Sequence, residues 1–109
     1  MRKAVLLVIL ALMSPLSHAG SQVGTVVFVN VRASDGLVHF VLSGPKNFSP
    51  ACATRGYWMI RDENSNAGKQ QYALLLAAKL SGKTVVIRGS NTCLRWGDGE
   101  DIDEVEIHD

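Results

Sequence analysis

The stretch AGKQQYALLLAAKLSG, residues 67–82, decides how this chain folds. Its Ala, Leu, Gln and Lys residues favour a helix, and Gly82 follows where a helix commonly ends in a left-handed residue. The runs on either side of it are rich instead in the β-branched and aromatic residues that favour strands. One helix therefore interrupts a chain that is otherwise of β type.

Three β-type runs precede this helix and two follow it. We predict strands at residues 23–32, 37–43 and 52–61, the third broken or bulged near Gly56, and then at 83–89 and 104–108. Asp35 and Gly36 supply the turn of the first hairpin, and Ile102, out of phase with the last strand, indicates a bulge at its start. Three strands, a helix and two strands in about 90 residues is the order of a mainly β, five-stranded OB-fold-like barrel.

The pattern of apolar residues also predicts what each element buries. The first strand is apolar on both faces, so we expect it to be central and covered on both sides. In the second strand, Val38, Phe40 and Leu42 share one face. The helix is apolar almost all round, so we expect it to pack across an open end of the barrel. The residues expected to form this plug are Tyr72, Leu75, Leu76 and Leu80.

Residues 1–19 have the pattern of a secretory signal peptide, compatible with a bacterial one. Arg2 and Lys3 form the basic start, an apolar run follows, and Ser17 and Ala19 are the small residues before the cleavage site. An uncleaved membrane anchor is the alternative, but the apolar run of about ten residues is too short to span about 30 Å of hydrocarbon. We therefore expect residues 20–109 to form a single domain, periplasmic or secreted, with no stable membrane insertion.

Cys52 and Cys93 are the only cysteines of the chain. Export delivers them to an oxidising compartment, so a disulfide is the favoured interpretation, ahead of a metal site or a reactive thiol. They form no closely spaced pair and have no nearby histidines, as a zinc site would require. We predict no metal and no cofactor.

The charge balance argues against nucleic acid as a partner. Losing Arg2 and Lys3 from 11 basic residues leaves nine against ten acidic ones, whereas an OB surface that binds nucleic acid needs a basic groove. Most of the acidic residues crowd the end of the chain. Those around the last strand could bind calcium, but their order is not that of a calcium loop, and a solvated strand edge is the favoured interpretation. The acidic residues around the last strand are Asp101, Asp103, Glu104 and Glu106.

No catalytic motif is visible, so we do not expect an enzyme. The histidines outside the signal are His39 and His108, without the spacing of known catalytic sets, and we interpret His39 as a packed or rim residue. Tyr57 and Trp58 point to opposite faces of a strand, and we expect Trp58 in the core and Trp96 exposed.

If any single residue carries function, we expect it to be Trp96. It lies in a Gly- and Asp-rich loop beside polar groups that can hydrogen bond to hydroxyls, and an exposed ring with such neighbours can hold a saccharide weakly. The alternative is that Trp96 folds over the disulfide and covers the barrel rim. The predicted ligand-binding residues are Phe48, Tyr57, Asn91, Arg95, Trp96 and Asp98.

Residues 67–107 also resemble a known family. A helix, a strand, and then a Cys and a Trp in one loop before the last strand are similar to the C-terminal half of the B subunits of bacterial AB-type toxins, the enterotoxin and subtilase-cytotoxin group of OB folds. In the enterotoxin subunits a Cys is closely followed by a Trp that stacks on a host sugar, and CLRW at residues 93–96 is similar but one residue wider. The N-terminal half departs from the pattern, since Cys52 begins a strand and no N-terminal helix carries it. The resemblance implies glycan binding.

The sequence thus predicts an exported, non-enzymatic, disulfide-stabilised module that binds a glycan or a protein and can form a homo-oligomer. The alternative is a structural or stress-associated cell-envelope protein that acts through protein contacts, and a third is a small hydrolase with an unrecognised site. A ring oligomer in solution would favour the first, and a monomer the second.

Overall fold

The computed structural model of the protein describes residues 18–109. The predicted signal peptide lies outside this part of the chain, apart from its last two residues, His18 and Ala19. The elements are β1 (Ser21–Val31), β2 (Val38–Leu42), β3 (Lys46–Asn47), β4 (Trp58–Met59), α1 (Asn66–Ser81), β5 (Thr84–Gly89) and β6 (Glu100–Ile107).

Five of these strands close into a barrel. β1 pairs antiparallel with β2, β2 antiparallel with β4, and β4 parallel with β6. β6 then pairs antiparallel with β5, and β5 with the first half of β1, which completes the circle. The predicted OB-fold-like barrel, with its one helix between the third and fourth barrel strands, is confirmed.

Strand lengths differ from the prediction at three places. The predicted strand at residues 52–61 shrinks to Trp58–Met59, because turns occupy most of the segment before it. The predicted loop at residues 44–50 contains β3, which pairs with the start of β1. β6 begins four residues earlier than predicted, and its pairing with β5 skips from Glu104 to Ile102, so the predicted bulge is confirmed.

Local hydrogen bonds and backbone conformation define the ends of the helix and the turn of the first hairpin. Ser65 caps α1 by accepting a hydrogen bond from the N–H of Gly68 at 3.0 Å, and Gly82 ends it with a φ of 69°. In the hairpin, the Asp35 carboxylate accepts a hydrogen bond from the N–H of Leu37 at 3.1 Å. These caps and this turn depend on residues close together in the sequence.

Trp58 lies at the centre of the barrel and is fully buried, as predicted. Its indole Nε1 donates a hydrogen bond to Oε1 of the buried Gln22 at 2.8 Å, and the Gln22 amide donates to the Gly44 carbonyl at 2.6 Å. This chain of hydrogen bonds satisfies the polar atoms that burial removes from water. The predicted inner face of β2 surrounds the indole, together with residues of β5, β6 and α1.

The prediction that β1 is covered on both faces is wrong. Val26 is only 5% exposed, but Val23, Val27 and Val31 are 54%, 50% and 52% exposed. A barrel strand turns one face to the interior, and its outer face is buried only where another element packs over it. The apolar outer face of β1 is therefore surface.

The helix packs on the barrel through a narrower stripe than predicted. Leu75 and Ala78 are buried and Tyr72 is partly buried against the same core. Leu76 and Leu80 are 37% and 87% exposed, so their assignment to the plug is wrong. A helix lying on a surface buries one stripe, and an all-round apolar composition does not say which. Within residues 18–109 no helix is long and apolar enough to cross a membrane.

Truncating two neighbouring leucines tests this orientation. Leu75→Ala should lower the free energy of unfolding by about 2–5 kcal/mol, because it leaves a cavity in the core. Leu76→Ala serves as the matched control and should cost well under half as much, since its side chain is partly in water. Urea denaturation midpoints measure both, and similar losses from the two changes would contradict the assigned stripe.

Cys52 and Cys93 form the predicted disulfide, with their Cα atoms 6.2 Å apart. It ties the turn before β4 to the loop before β6. Closing a loop of about 42 residues stabilises a fold by roughly 4 kcal/mol, a large share of what a small domain has.

Removing both cysteines should therefore destabilise the barrel strongly. We expect the Cys52→Ser, Cys93→Ser double variant to lose roughly 4 kcal/mol of unfolding free energy, measured by chemical denaturation. Intact mass after alkylation in denaturant, without reductant, is the companion measurement on the wild type. Two alkylated thiols in protein prepared under oxidising conditions would show that the pair does not form.

Candidate functional site

Asp101 organises the loop of residues 90–99 that carries most of the predicted site. It is fully buried at the start of β6, and its carboxylate accepts hydrogen bonds from the Thr92 hydroxyl at 2.8 Å and from the N–H groups of Leu94 and Arg95 at 2.8 and 3.1 Å. A buried carboxylate is tolerated when several donors converge on it. Asp101 thus holds the loop from inside at Thr92, Leu94 and Arg95.

The interpretation of the acidic residues as a solvated edge holds for only part of them. Asp103, Glu104 and Glu106 are exposed, and Arg88 pairs with the carboxylates of Glu104 and Glu106 at 3.1 and 2.8 Å. For Asp101 the interpretation is wrong, because the N–H groups of its own loop make burial favourable. Within residues 18–109, no group of three or more His, Cys, Asp or Glu side chains could hold a metal ion.

Four rings meet where this loop crosses the ends of β1 and β2. We call them the aromatic cluster: Phe28, His39, Tyr57 and Trp96. The ring of Trp96 stacks on that of Tyr57 with centroids 5.2 Å apart and planes 21° apart. His39 lies 5.7 Å from each of these two rings, and Phe28 meets His39 edge-on at 5.8 Å. None of these rings belongs to the core around Trp58.

Polar groups surround the cluster. The Arg32 guanidinium carbon lies 4.7 Å from the centroid of a Trp96 ring, a cation–π contact. The Tyr57 hydroxyl donates a hydrogen bond to the Asp98 carboxylate. Burial and this hydrogen bond raise the pKa of Tyr57 to about 12, so the phenol stays neutral at physiological pH. The cluster offers neutral aromatic faces beside one guanidinium.

Arg95 connects its own loop to Glu63 and to the turn of the first hairpin. Its guanidinium donates to both carboxylate oxygens of Glu63, at 2.8 and 3.2 Å, and to the backbone carbonyl of Asp35 at 3.0 Å. The hydrogen bond from Arg95 lowers the pKa of Glu63, and the one from Arg32 holds the pKa of Asp35 well below its usual range. Both arginines thus already have carboxylate partners from the protein.

The structure brings together four of the six predicted ligand-binding residues. Tyr57, Arg95, Trp96 and Asp98 share this region, with Trp96 partly covered by its neighbours instead of fully exposed. Phe48 and Asn91 contact residues outside the aromatic cluster.

Asn91 contacts the start of β6, and Phe48 contacts the residues before β1. The Asn91 N–H donates to Glu100, and Phe48, 69% exposed, has its ring 5.1 Å from that of His18. Their separation from Trp96 comes from the path of the loop, which the composition of the loop does not reveal.

Sequence reasoning missed three members of the site: Phe28, Arg32 and His39. The register of the first hairpin could have found them, because it pairs Asn30 with His39 and Phe28 with Val41, which places the three residues around one end of β1 and β2. The interpretation of His39 as a rim residue agrees with its place in the cluster.

A groove of about 390 Å³ lies elsewhere, between α1 and β6. It is lined by Gln70, Gln71 and Leu74 of the helix and by residues 103–106 of the strand. This groove contains none of the predicted ligand-binding residues. The rings and the charged groups converge instead on the aromatic cluster.

Comparisons of the chain with protein-family models, curated proteins and solved structures found no match.

His39 should make the stability of the protein depend on pH. Burial lowers its pKa, and the positive charge of Arg32 lowers it further, while Nδ1 is buried with no hydrogen-bond partner among the described residues. As the pH falls through about 6.5, the unfolded chain therefore binds this proton more readily than the folded chain, so the free energy of unfolding rises as the pH is raised toward neutral.

The measurement compares urea midpoints at about pH 5.5 and 7.5. His39→Gln should remove much of the rise, whereas the control His108→Gln, at an exposed residue beside Glu106, should keep it. An unchanged pH dependence in His39→Gln would contradict the assignment.

Proposed function

We propose that this chain is an exported, non-enzymatic binding module that holds a saccharide against the aromatic cluster. The observation that carries the proposal is the placement of Phe28, Tyr57 and Trp96 together outside the core, with Trp96 stacked on Tyr57. Large rings cost little conformational entropy when neighbours already hold them, and their faces pack well against sugar C–H groups.

The groups around the rings suit a neutral or polar hydroxylated ligand. Arg32, Arg95 and Asp98 lie beside the rings and can exchange hydrogen bonds with hydroxyls. Both arginines are paired with carboxylates, so they form no free basic groove of the kind that holds a phosphate backbone. This supports a glycan over a nucleic acid.

The compartment is part of the same proposal. The disulfide is compatible with an oxidising compartment, and the sequence pattern of residues 1–19 directs the chain there. A periplasmic or secreted location follows. We also propose the relationship to the B subunits of AB-type toxins. The closed barrel supports the fold that this relationship implies.

A second candidate is a structural cell-envelope protein that acts through protein contacts or self-association. It is favoured by the apolar outer face of β1 and by α1, where Val23, Val27 and Leu80 are at least half exposed. Exposed apolar residues that run together are typical of surfaces that meet another protein. The saccharide proposal requires the aromatic cluster, whereas the structural role requires this apolar outer face.

Trp96→Ala tests the saccharide proposal. The variant should lose its glycan-array signal, with a dissociation constant raised about 30-fold or more, as for an aromatic residue that contributes about 2 kcal/mol to binding. The barrel should still fold, because Trp96 lies outside the core.

Leu94→Ala is the matched control, because Leu94 is 66% exposed in the same loop. This substitution should leave glycan binding unchanged. A wild type that binds no glycan, or a Trp96→Ala variant that binds as well as the wild type, would refute the proposal and favour the second candidate.

A further inference from the structure

The buried carboxylate of Glu100 meets the backbone nitrogen of Gly20. Glu100 is fully buried, and the Gly20 nitrogen lies 3.1 Å from both of its carboxylate oxygens. The N–H of Asn91 donates to Oε2 at 2.9 Å. Within residues 18–109, no lysine, arginine or histidine forms an ion pair with this carboxylate. Glu100 thus has two described donors where Asp101 has three, and a buried carboxylate with few donors and no cation is costly, so a cation here would stabilise it.

The fold is shaped to hold the Gly20 nitrogen in this position. The Gly20 carbonyl accepts a hydrogen bond from the N–H of Gly89 at 2.8 Å, which fixes the residue at the end of β5. A side chain at Gly20 would place its Cβ 2.6 Å from Glu100 Oε1 and 2.9 Å from the Phe48 carbonyl, and one at Gly89 would overlap the Glu100 carboxylate. Both positions require glycine, because the carboxylate fills the space between them.

Gly20 is also the residue that follows the cleavage site predicted at Ala19. We propose that removal of the signal peptide turns the Gly20 nitrogen into the cation partner of Glu100. A signal peptidase of the export pathway would hydrolyse the Ala19–Gly20 peptide bond with water. The water oxygen would end on the new Ala19 carboxylate, and the Gly20 amine would take a proton to become an α-ammonium.

The change in chemistry at this one atom is large. The amide offers a single N–H to two carboxylate oxygens, whereas the ammonium offers three N–H groups and a positive charge. An adjacent carboxylate favours the charged form of an amine, whose pKa is ordinarily about 7.7–8.0. The one lysine that interacts electrostatically with Glu100 among the described residues is Lys46, but its ammonium lies over the Trp58 ring at 4.0 Å, buried and without a hydrogen-bond partner, and forms no ion pair with the carboxylate.

Processing would thus complete the fold as well as release the chain. Gly20 is buried in the barrel while Ala19 and His18 are exposed, so the bond would be cut before β1 joins the sheet. This inference rests on the export included in the proposed function and not on the identity of the ligand.

The first experiment determines where the mature chain begins. The full chain is exported by a bacterial host, and the purified protein is examined by N-terminal sequencing and intact mass. We expect Gly20 as the first residue. Any other start would overturn the inference, and a retained Met1 would also remove the export on which the proposed function rests. Failure to bind glycans would leave the inference intact.

The second experiment is a mutant cycle on the mature protein. Chains beginning at Gly20 and at Ala19 are each prepared with Glu100 and with Glu100→Gln. The extra alanine turns the Gly20 ammonium back into an amide, and we expect it to lower Tm by about 4 °C or more, as the loss of one buried interaction does in a domain this small. Glu100→Gln should lower Tm more in the Gly20 chain than in the Ala19 chain.

Glu106→Gln is the matched control, because Glu106 is an exposed residue of the same strand. This substitution should change Tm equally in the two chains. Equal effects of Glu100→Gln in the two chains would overturn the inference.

A measurement on the wild type covers the case in which Glu100→Gln does not fold. An amine that is protonated and buried reacts slowly with an acylating reagent. At neutral pH, the Gly20 amine of the folded protein should acylate about tenfold or more slowly than that of the urea-unfolded protein, because the adjacent carboxylate favours the charged amine and burial keeps the reagent away. Equal rates, read by mass spectrometry of the N-terminal peptide, would refute the pairing.

Discussion

Two adjacent carboxylates, those of Glu100 and Asp101, are fully buried at the start of β6, and much of the structure outside the core depends on satisfying them. Burying an unsatisfied carboxylate costs several kcal/mol, comparable with the whole stability of a small domain. The chain therefore has to bring hydrogen-bond donors to both. Because successive side chains of a strand point to opposite faces, the two carboxylates accept hydrogen bonds from different donors.

The loop before β6 supplies all the donors to Asp101, whereas Glu100 takes one donor from that loop and one from Gly20, just before β1. The first set of donors comes from Thr92, Leu94 and Arg95, and the second from Gly20 and Asn91. The disulfide adds a covalent tie from the same loop to the turn before β4. This long connection is thus held at several points.

This constraint explains why the aromatic cluster can exist at the surface. Trp96 projects from a loop that Asp101 holds from inside, and it meets Tyr57, which follows the other half of the disulfide by five residues. The Tyr57 hydroxyl is in turn held by Asp98. Rings that are held in place before a ligand arrives lose little entropy on binding, which favours affinity from a small contact area.

Local signals in the sequence determined the order of the elements, the helix caps, the hairpin turn, the inner face of β2, the disulfide and the burial of Trp58. Each depends on residue type and spacing over a short stretch, or on there being only two cysteines. The sequence also predicted the bulge in β6, because Ile102 breaks the alternation that Val105 and Ile107 follow.

Only the tertiary structure decided which apolar faces are covered and which polar groups are buried. Val23 and Leu80 look like core residues, yet nothing in the described part of the chain packs over them, while Asp101 looks like a surface residue and is enclosed by donors from its own loop. The same holds for Glu100, whose donor on Gly20 lies 80 residues away. Periodicity shows which residues share a face, but burial depends on what packs against that face, and that is set by the closure of the barrel.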